Sequence, residues 1–171
     1  MIVPRVVLLD LDDTIVDDTS AVNECWMAAC SGCPHAGLTE AIRSVREWYW
    51  SDPGRHRVGR LDMPVARRHI VRMAMGRIGL ADEGLIDQIA SRYGALRDER
   101  LALIPGAIET VQWFRESGCR TALLTNGAGS AQRVKIARFG LEPLFDLIVH
   151  TLSELRPGRS VHSAPVRSCG S

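Results

Sequence analysis

The sequence has almost no net charge and no long apolar run. Its 171 residues carry 21 basic side chains against 20 acidic ones, a formal net charge of +1. A general nucleic-acid binder needs a basic excess, so nucleic acid is not an expected partner. The longest apolar run near the N-terminus, Val6 to Leu9, is far short of a bilayer span. No charged segment followed by a long apolar stretch is present, so neither a signal peptide nor a membrane partner is expected. Cysteine is sparse and odd in number, five in all. That count points to free thiols in a reducing cytoplasm, the expected location. Lysine is nearly missing: Lys135 stands alone against twenty arginines, a skew read as coding bias and not as chemistry. No acidic residue follows Glu154.

What is present suits a soluble globular chain. Hydrophobic residues make up 46% and charged residues 24%, an ordinary balance. The length suggests one domain, or one with a small insertion. Ile2 to Leu9 is almost continuously apolar and β-branched, the pattern of a buried strand, with Pro4 confining its first part to an edge. No comparable run occurs between residues 19 and 100. Helical patterns replace it at Ala21–Ala29, Thr39–Trp50, Pro64–Ile78 and Glu83–Leu96, with Thr39 a candidate cap and Gly79 a candidate stop.

Strand signals return later. Pro105-Gly106 opens a helix to about Ser117, followed by a strand at Arg120–Thr125. A helix over Ser130–Phe139, stopped by Gly140, and a strand at Leu144–Val149 complete the order. Such alternation predicts a parallel sheet with helices on its faces, an α/β fold. The expected organisation is a core of residues 1–16 and 101–155, a helical insertion over 17–100, and a disordered tail over 156–171.

Two motifs carry chemistry. Asp10-Leu11-Asp12-Asp13-Thr14 follows the first strand directly. Ligand sites in parallel sheets lie beyond the carboxyl ends of the strands. Asp10 and Asp12 are two apart, so in extended backbone they point the same way. A cation between them would relieve their repulsion, and Mg²⁺ suits oxygen ligands. One Asp can attack phosphorus while a second carboxyl moves the proton. The plainer reading of the same residues is an acidic turn in which Asp12 or Asp13 caps a helix. Thr125-Asn126-Gly127 is the second motif, again between a strand and a helix. A hydroxyl, backbone N–H groups and a helix N-terminus are what a phosphate needs. The plainer reading is an ordinary Asn-Gly turn.

Together these motifs resemble the haloacid dehalogenase-like (HAD) hydrolase superfamily, in its branch with a helical cap. Asp10-Leu11-Asp12-Asp13-Thr14 is similar to the first family motif and Leu123-Leu124-Thr125-Asn126-Gly127 to the second. Trp50-Ser51-Asp52-Pro53, Ile104-Pro105-Gly106-Ala107, Lys135-Ile136-Ala137-Arg138-Phe139-Gly140-Leu141 and Phe145-Asp146 are similar too. The resemblance covers about residues 5 to 155. It implies a Rossmann-like core, Mg²⁺ as cofactor, and hydrolysis of a small phosphorylated metabolite. By that resemblance Asp10 is the nucleophile and Asp12 the acid/base. Thr125 and Asn126 bind the phosphoryl group, and the Asp10 carboxylate and Asp12 carbonyl bind the metal. An acid at Asp12 also favours a phosphatase over a dehalogenase.

The tail departs from the family. Glu154-Leu155-Arg156-Pro157-Gly158 stands where the family carries a lysine, and Arg156 is the candidate replacement. It offers a planar fork instead of a compact ammonium. The fourth strand with its terminal acids, which completes the metal site, has no counterpart. Residues after about 155 are expected not to fold onto the core, as after a frameshift or a misplaced end. The first strand would then show an unpaired apolar edge, with self-association as the consequence. This departure supports a second reading: a catalytically impaired fragment that binds phosphate or a partner. A third reading, a zinc-binding module, rests on Cys25, Cys30, Cys33 and His35, but no second cysteine pair follows. Trp48-Tyr49-Trp50 reads as packing. Arg55, His56, Arg57 and Arg60 read as a solvated face, with steering of a phosphorylated substrate as the alternative.

Overall fold

The computed structural model describes residues 4–33 and 35–150. The expected tail and its Arg156 lie outside the described residues. In chain order the elements are β1 (Val6–Asp10), β2 (Val16–Asp17), α1 (Val22–Cys30), α2 (Leu38–Ser51), α3 (Pro53–Leu61), α4 (Met63–Arg77) and α5 (Glu83–Arg100). Then come β3 (Ala102–Leu103), α6 (Ala107–Glu116), β4 (Arg120–Thr125), α7 (Gly129–Arg138), a 3-10 turn at Glu142–Leu144, and β5 (Leu147–His150). The chain divides into two compact units, one reaching to Asp17 and resuming at Ala102, the other running over Asp18–Leu101.

The first unit is an α/β fold. β1, β4 and β5 form a parallel sheet in the order β1-β4-β5, while β2 and β3 make a short antiparallel pair. β4 is the central strand, and its Thr121, Ala122 and Leu123 are buried, as a strand covered on both faces requires. Val111 of α6 and Ile136 of α7 add to this core. β1 lies at an edge of the sheet among the described residues, with Val6 54% and Leu8 61% exposed on one face.

β5 begins at Leu147, three residues later than the apolar pattern suggests, because Pro143 sits in the 3-10 turn. Phe145-Asp146 has a structural task at that point. Asp146 accepts from the Thr121 N–H at 2.8 Å and returns its own N–H to the Thr121 carbonyl at 2.9 Å. The Thr121 hydroxyl donates to the Leu144 carbonyl at 2.8 Å. These bonds set the register of β5 on β4.

The second unit is entirely helical. Leu38, Ile42, Val45 and Tyr49 are the buried stripe of α2, at helical spacing. They pack with Ile70 and Met75 of α4, Ile86 and Ile89 of α5, and Trp26 of α1. The Trp26 and Tyr93 rings stack at 3.6 Å with planes 11° apart. Burial pushes the pKa of the Tyr93 phenol above its ordinary value, against the opposing pull of Arg97, Arg67 and Arg46. Cys25 and Cys30 pack in this core as small apolar groups.

Three aspartates begin three of these helices. Asp52 accepts from the Arg55 N–H at 2.8 Å, Asp62 from Val65 at 3.1 Å and Asp82 from Leu85 at 3.0 Å. Each such cap contributes about 1 kcal/mol. Thr39, the candidate cap of α2, lies inside the helix instead; the N-cap is Gly37, at φ 83°. α3 has no counterpart in the sequence reading, because its Pro-Gly-Arg-His-Arg start has little apolar periodicity. Its capping aspartate and the proline at its first position are the signal that could have found it.

The aromatic residues before α3 close over it. A Cβ on Gly59 would meet Trp50 Cη2 and Tyr49 Cε1, each at 2.9 Å. Gly59→Ala is therefore expected to lower stability by about 1–3 kcal/mol through overpacking. Thermal unfolding checks this, and an unchanged midpoint would mean the rings move aside freely. Arg55 is engaged structurally: its guanidinium lies 3.8 Å from the Trp48 ring centroid and donates to the Trp48 carbonyl at 2.6 Å.

No helix among the described residues is long and apolar enough to cross a membrane.

Candidate active site

Both chemical motifs sit at carboxyl ends of parallel strands. Asp10, the last residue of β1, is in register with Leu124 of β4, and Thr125 follows on that central strand. Asp10 is exposed, and its Oδ1 accepts from the Leu11 N–H at 2.8 Å. The strand ends there, so the simple alternation that would aim Asp10 and Asp12 alike stops at Asp10. Beyond it Asp12 bridges Val16, and Asp13 turns the chain in the left-handed region at φ 58°. An aspartate tolerates that conformation better than most residues.

The capping reading of this acidic turn does not fit. The next helix, α1, starts only at Val22, after Ala21, with no side-chain cap. Asp12 turns instead to α7. Its Oδ1 accepts from Lys135 Nζ at 2.7 Å and its Oδ2 from Gln132 Nε2 at 2.9 Å. The Lys135 and Asp12 side chains are only 15% and 16% exposed, which makes this a largely buried ion pair. Removing one partner of such a pair leaves an uncompensated charge. Lys135, set aside in the sequence as coding bias, is thus the cation on the second aspartate. Gln132 was missed as well. Their spacing of three along one helix was the available signal, since i and i+3 share a face.

Thr125 is buried and Asn126 exposed. Gly127 is buried beneath the Gln132 side chain. A Cβ there would collide with Gln132 Nε2 and lie 2.8 Å from its Cδ. The Gln132 amide therefore reaches Asp12 across a position that holds no side chain. Gln132 is 4% exposed, and its Oε1 has no hydrogen-bond partner among the described residues. A buried orphan acceptor costs about 1–3 kcal/mol.

The oxygen donors at Asp10 and Asp12 suit a hard cation such as Mg²⁺. The donors that fit are the Asp10 carboxylate, exposed at the end of β1, and the Asp12 backbone carbonyl. Among the described residues no group of three or more His, Cys, Asp or Glu stands together to hold a metal.

The family model for haloacid dehalogenase-like hydrolases matches residues 4–158. The chain belongs to this family. Among curated relatives of this HAD hydrolase, a phosphoglycolate phosphatase of Pseudomonas savastanoi is 35% identical over 129 residues, covering 72% of this chain and 42% of the relative. A phosphoglycolate phosphatase of Nitrosococcus oceani is 26% identical, covering 95% of this chain and 67% of the relative. The chain thus spans less than half the length of the Pseudomonas relative. Among solved structures, the HAD hydrolase YfnB of Bacillus subtilis, bound to magnesium, superposes with a TM-score of 0.57 at 21% identity, covering 84% of this chain and 63% of that one. A predicted phosphoglycolate phosphatase of Haemophilus somnus gives 0.51 at 18% identity, with 92% and 66% covered. Both likenesses concern the fold.

Proposed function

We propose that this HAD hydrolase cleaves small phosphate monoesters through an aspartyl-phosphate on Asp10. The observation that carries this reading is the placement of Asp10 and Thr125 at carboxyl ends of neighbouring parallel strands, with Asp12 held beside them from α7. In the first half-reaction an Asp10 oxygen attacks phosphorus. The ester P–O bond breaks, and its electron pair leaves on the alcohol oxygen, which takes a proton from Asp12. In the second half Asp12, now a carboxylate, takes a proton from water. The water oxygen attacks phosphorus, the bond to Asp10 breaks, and inorganic phosphate departs. Thr125 and Asn126, with the backbone leading into α7, hold the phosphoryl oxygens.

Mg²⁺ belongs to the same reading. The Asp10 carboxylate and the Asp12 carbonyl would hold it, and it would supply neutralising charge to the phosphoryl oxygens. With so few protein donors, binding is expected to be weak, with a Kd in the millimolar range. Calorimetric titration checks this. A Kd well below millimolar would mean that a further ligand, with Asp13, Asp17 and Asp18 the first places to look, completes the site.

The similarity to phosphoglycolate phosphatases makes 2-phosphoglycolate the first substrate to try, in a cytoplasmic setting. Release of inorganic phosphate from it and from an aryl phosphate, with and without Mg²⁺, tests the function. Mg²⁺-dependent turnover that disappears in Asp10→Asn is the expected result; no turnover of either ester would overturn it. Among the described residues no third acid stands with Asp10 and Asp12 to hold a metal, which favours one other reading, a protein that binds phosphate without turning it over. Phosphate binding without hydrolysis in the same experiment would select it.

A further inference from the structure

We infer that Gln132 and Lys135 are positioning residues that hold the Asp12 carboxylate for proton transfer, over a gap left open by Gly127. This rests on Asp12 carrying the proton as proposed above. A carboxylate that takes a proton from water must aim one lone pair at it, and a free side chain would rotate. Here both oxygens are held from one side: Oδ1 by Lys135 Nζ at 2.7 Å and Oδ2 by Gln132 Nε2 at 2.9 Å. Each carboxylate oxygen has a second lone pair, so the clamp fixes the plane and leaves acceptor sites for substrate or water.

Three further facts point to Asp12 as the purpose of this arrangement. While Asp12 is ionised, as in its pair with Lys135, the Gln132 amide keeps its NH₂ toward it, because a reversed amide would set acceptor against acceptor. Its own Oε1 is buried with no partner among the described residues, so the side chain is not placed to satisfy itself. Finally, any side chain at residue 127 would take the space that the amide crosses. The Gly127 backbone is not left-handed, since it is absent from the positive-φ glycines among the described residues. Alanine is therefore allowed there by the backbone and excluded by Gln132. The three residues form one device: a glycine that makes room, an amide that crosses it, and an ammonium one turn further along α7.

Steady-state kinetics with 2-phosphoglycolate and an aryl phosphate, in saturating Mg²⁺, test the role. Lys135→Met and Gln132→Ala are each expected to lower kcat by about 10- to 100-fold with KM nearly unchanged, since a misplaced catalytic group loses rate before binding. Lys135→Arg should retain more of the rate than Lys135→Met. Gly127→Ala should lower kcat without removing any polar group, and Gly127→Ala/Gln132→Ala should match Gln132→Ala alone. In an Asp12→Asn background neither α7 substitution should reduce the residual rate further.

A rise in KM at constant kcat would overturn the inference, as would full additivity with Asp12→Asn or wild-type rates in Lys135→Met, Gln132→Ala and Gly127→Ala alike. If Lys135→Met does not fold, Gln132→Ala and Gly127→Ala carry the test. Wild-type turnover in Asp12→Asn would instead overturn the proposed function. A severe loss there with unaffected α7 variants would overturn only the positioning role.

Discussion

Asp10→Asn is expected to abolish turnover, by roughly 10³-fold or more, the scale on which removing a nucleophile acts. The amide nitrogen and oxygen of asparagine lack the charge needed to attack phosphorus. The fold should be untouched, for a reason visible in the structure. Asp10 is exposed at the end of β1, and its Oδ1 accepts from the Leu11 N–H. Asparagine keeps an oxygen that can accept the same bond. Stability should therefore stay within about 0.5 kcal/mol of wild type, as for most surface substitutions. Phosphate release and thermal unfolding, measured on one preparation, separate the two quantities. Full activity in a folded variant would remove Asp10 from the chemistry, and an unfolded variant would mean that the strand end depends on its charge.

Trp26→Ala is expected to have the largest effect on stability. Trp26 is 3% exposed in the helical unit and lies flat on Tyr93 at 3.6 Å. Deleting so large a buried ring costs about 3–5 kcal/mol, through lost transfer energy and the cavity left behind. Native domains hold only about 5–15 kcal/mol in all. Trp26→Phe should cost much less, because it keeps a ring on Tyr93 and removes an indole Nε1 that has no partner among the described residues. Urea unfolding followed by circular dichroism measures both variants. A loss below about 1 kcal/mol for Trp26→Ala would show that the helices collapse into the space.

The order of strands and helices was legible because it rests on local pattern. The apolar run at β1 and the alanine–leucine run of β4 lie in sequence where the strands form. Glycines close the helices at Gly79, Gly118 and Gly140, each at positive φ. Where local pattern is thin, the reading was less sharp. α3 has no apolar stripe, and β2 and β3 are two residues each, defined by pairing across the whole helical unit. The start of β5 depended on Asp146 bonding back to Thr121, a contact between residues 25 apart.

The same division runs through the candidate site. Asp10, Asp12, Thr125 and Asn126 could be chosen from sequence alone, because each lies at the junction of a strand pattern and a turn. Side-chain types and short spacings are enough to determine such junctions. For Lys135 the local signal was only a face shared with Gln132, which names no partner. The lysine lies 123 residues from Asp12, on a helix whose stripe looks like ordinary surface and core, and one lysine among many arginines reads as composition. Only the docking of α7 beside the end of β1 turns that lysine into a partner for a largely buried carboxylate. Gly127 likewise looked like half of a turn until Gln132 was found crossing it. Local sequence determined which groups could act, because propensity and periodicity are short-ranged. Tertiary packing decided which charge faces which, because that depends on how distant segments share a dry space.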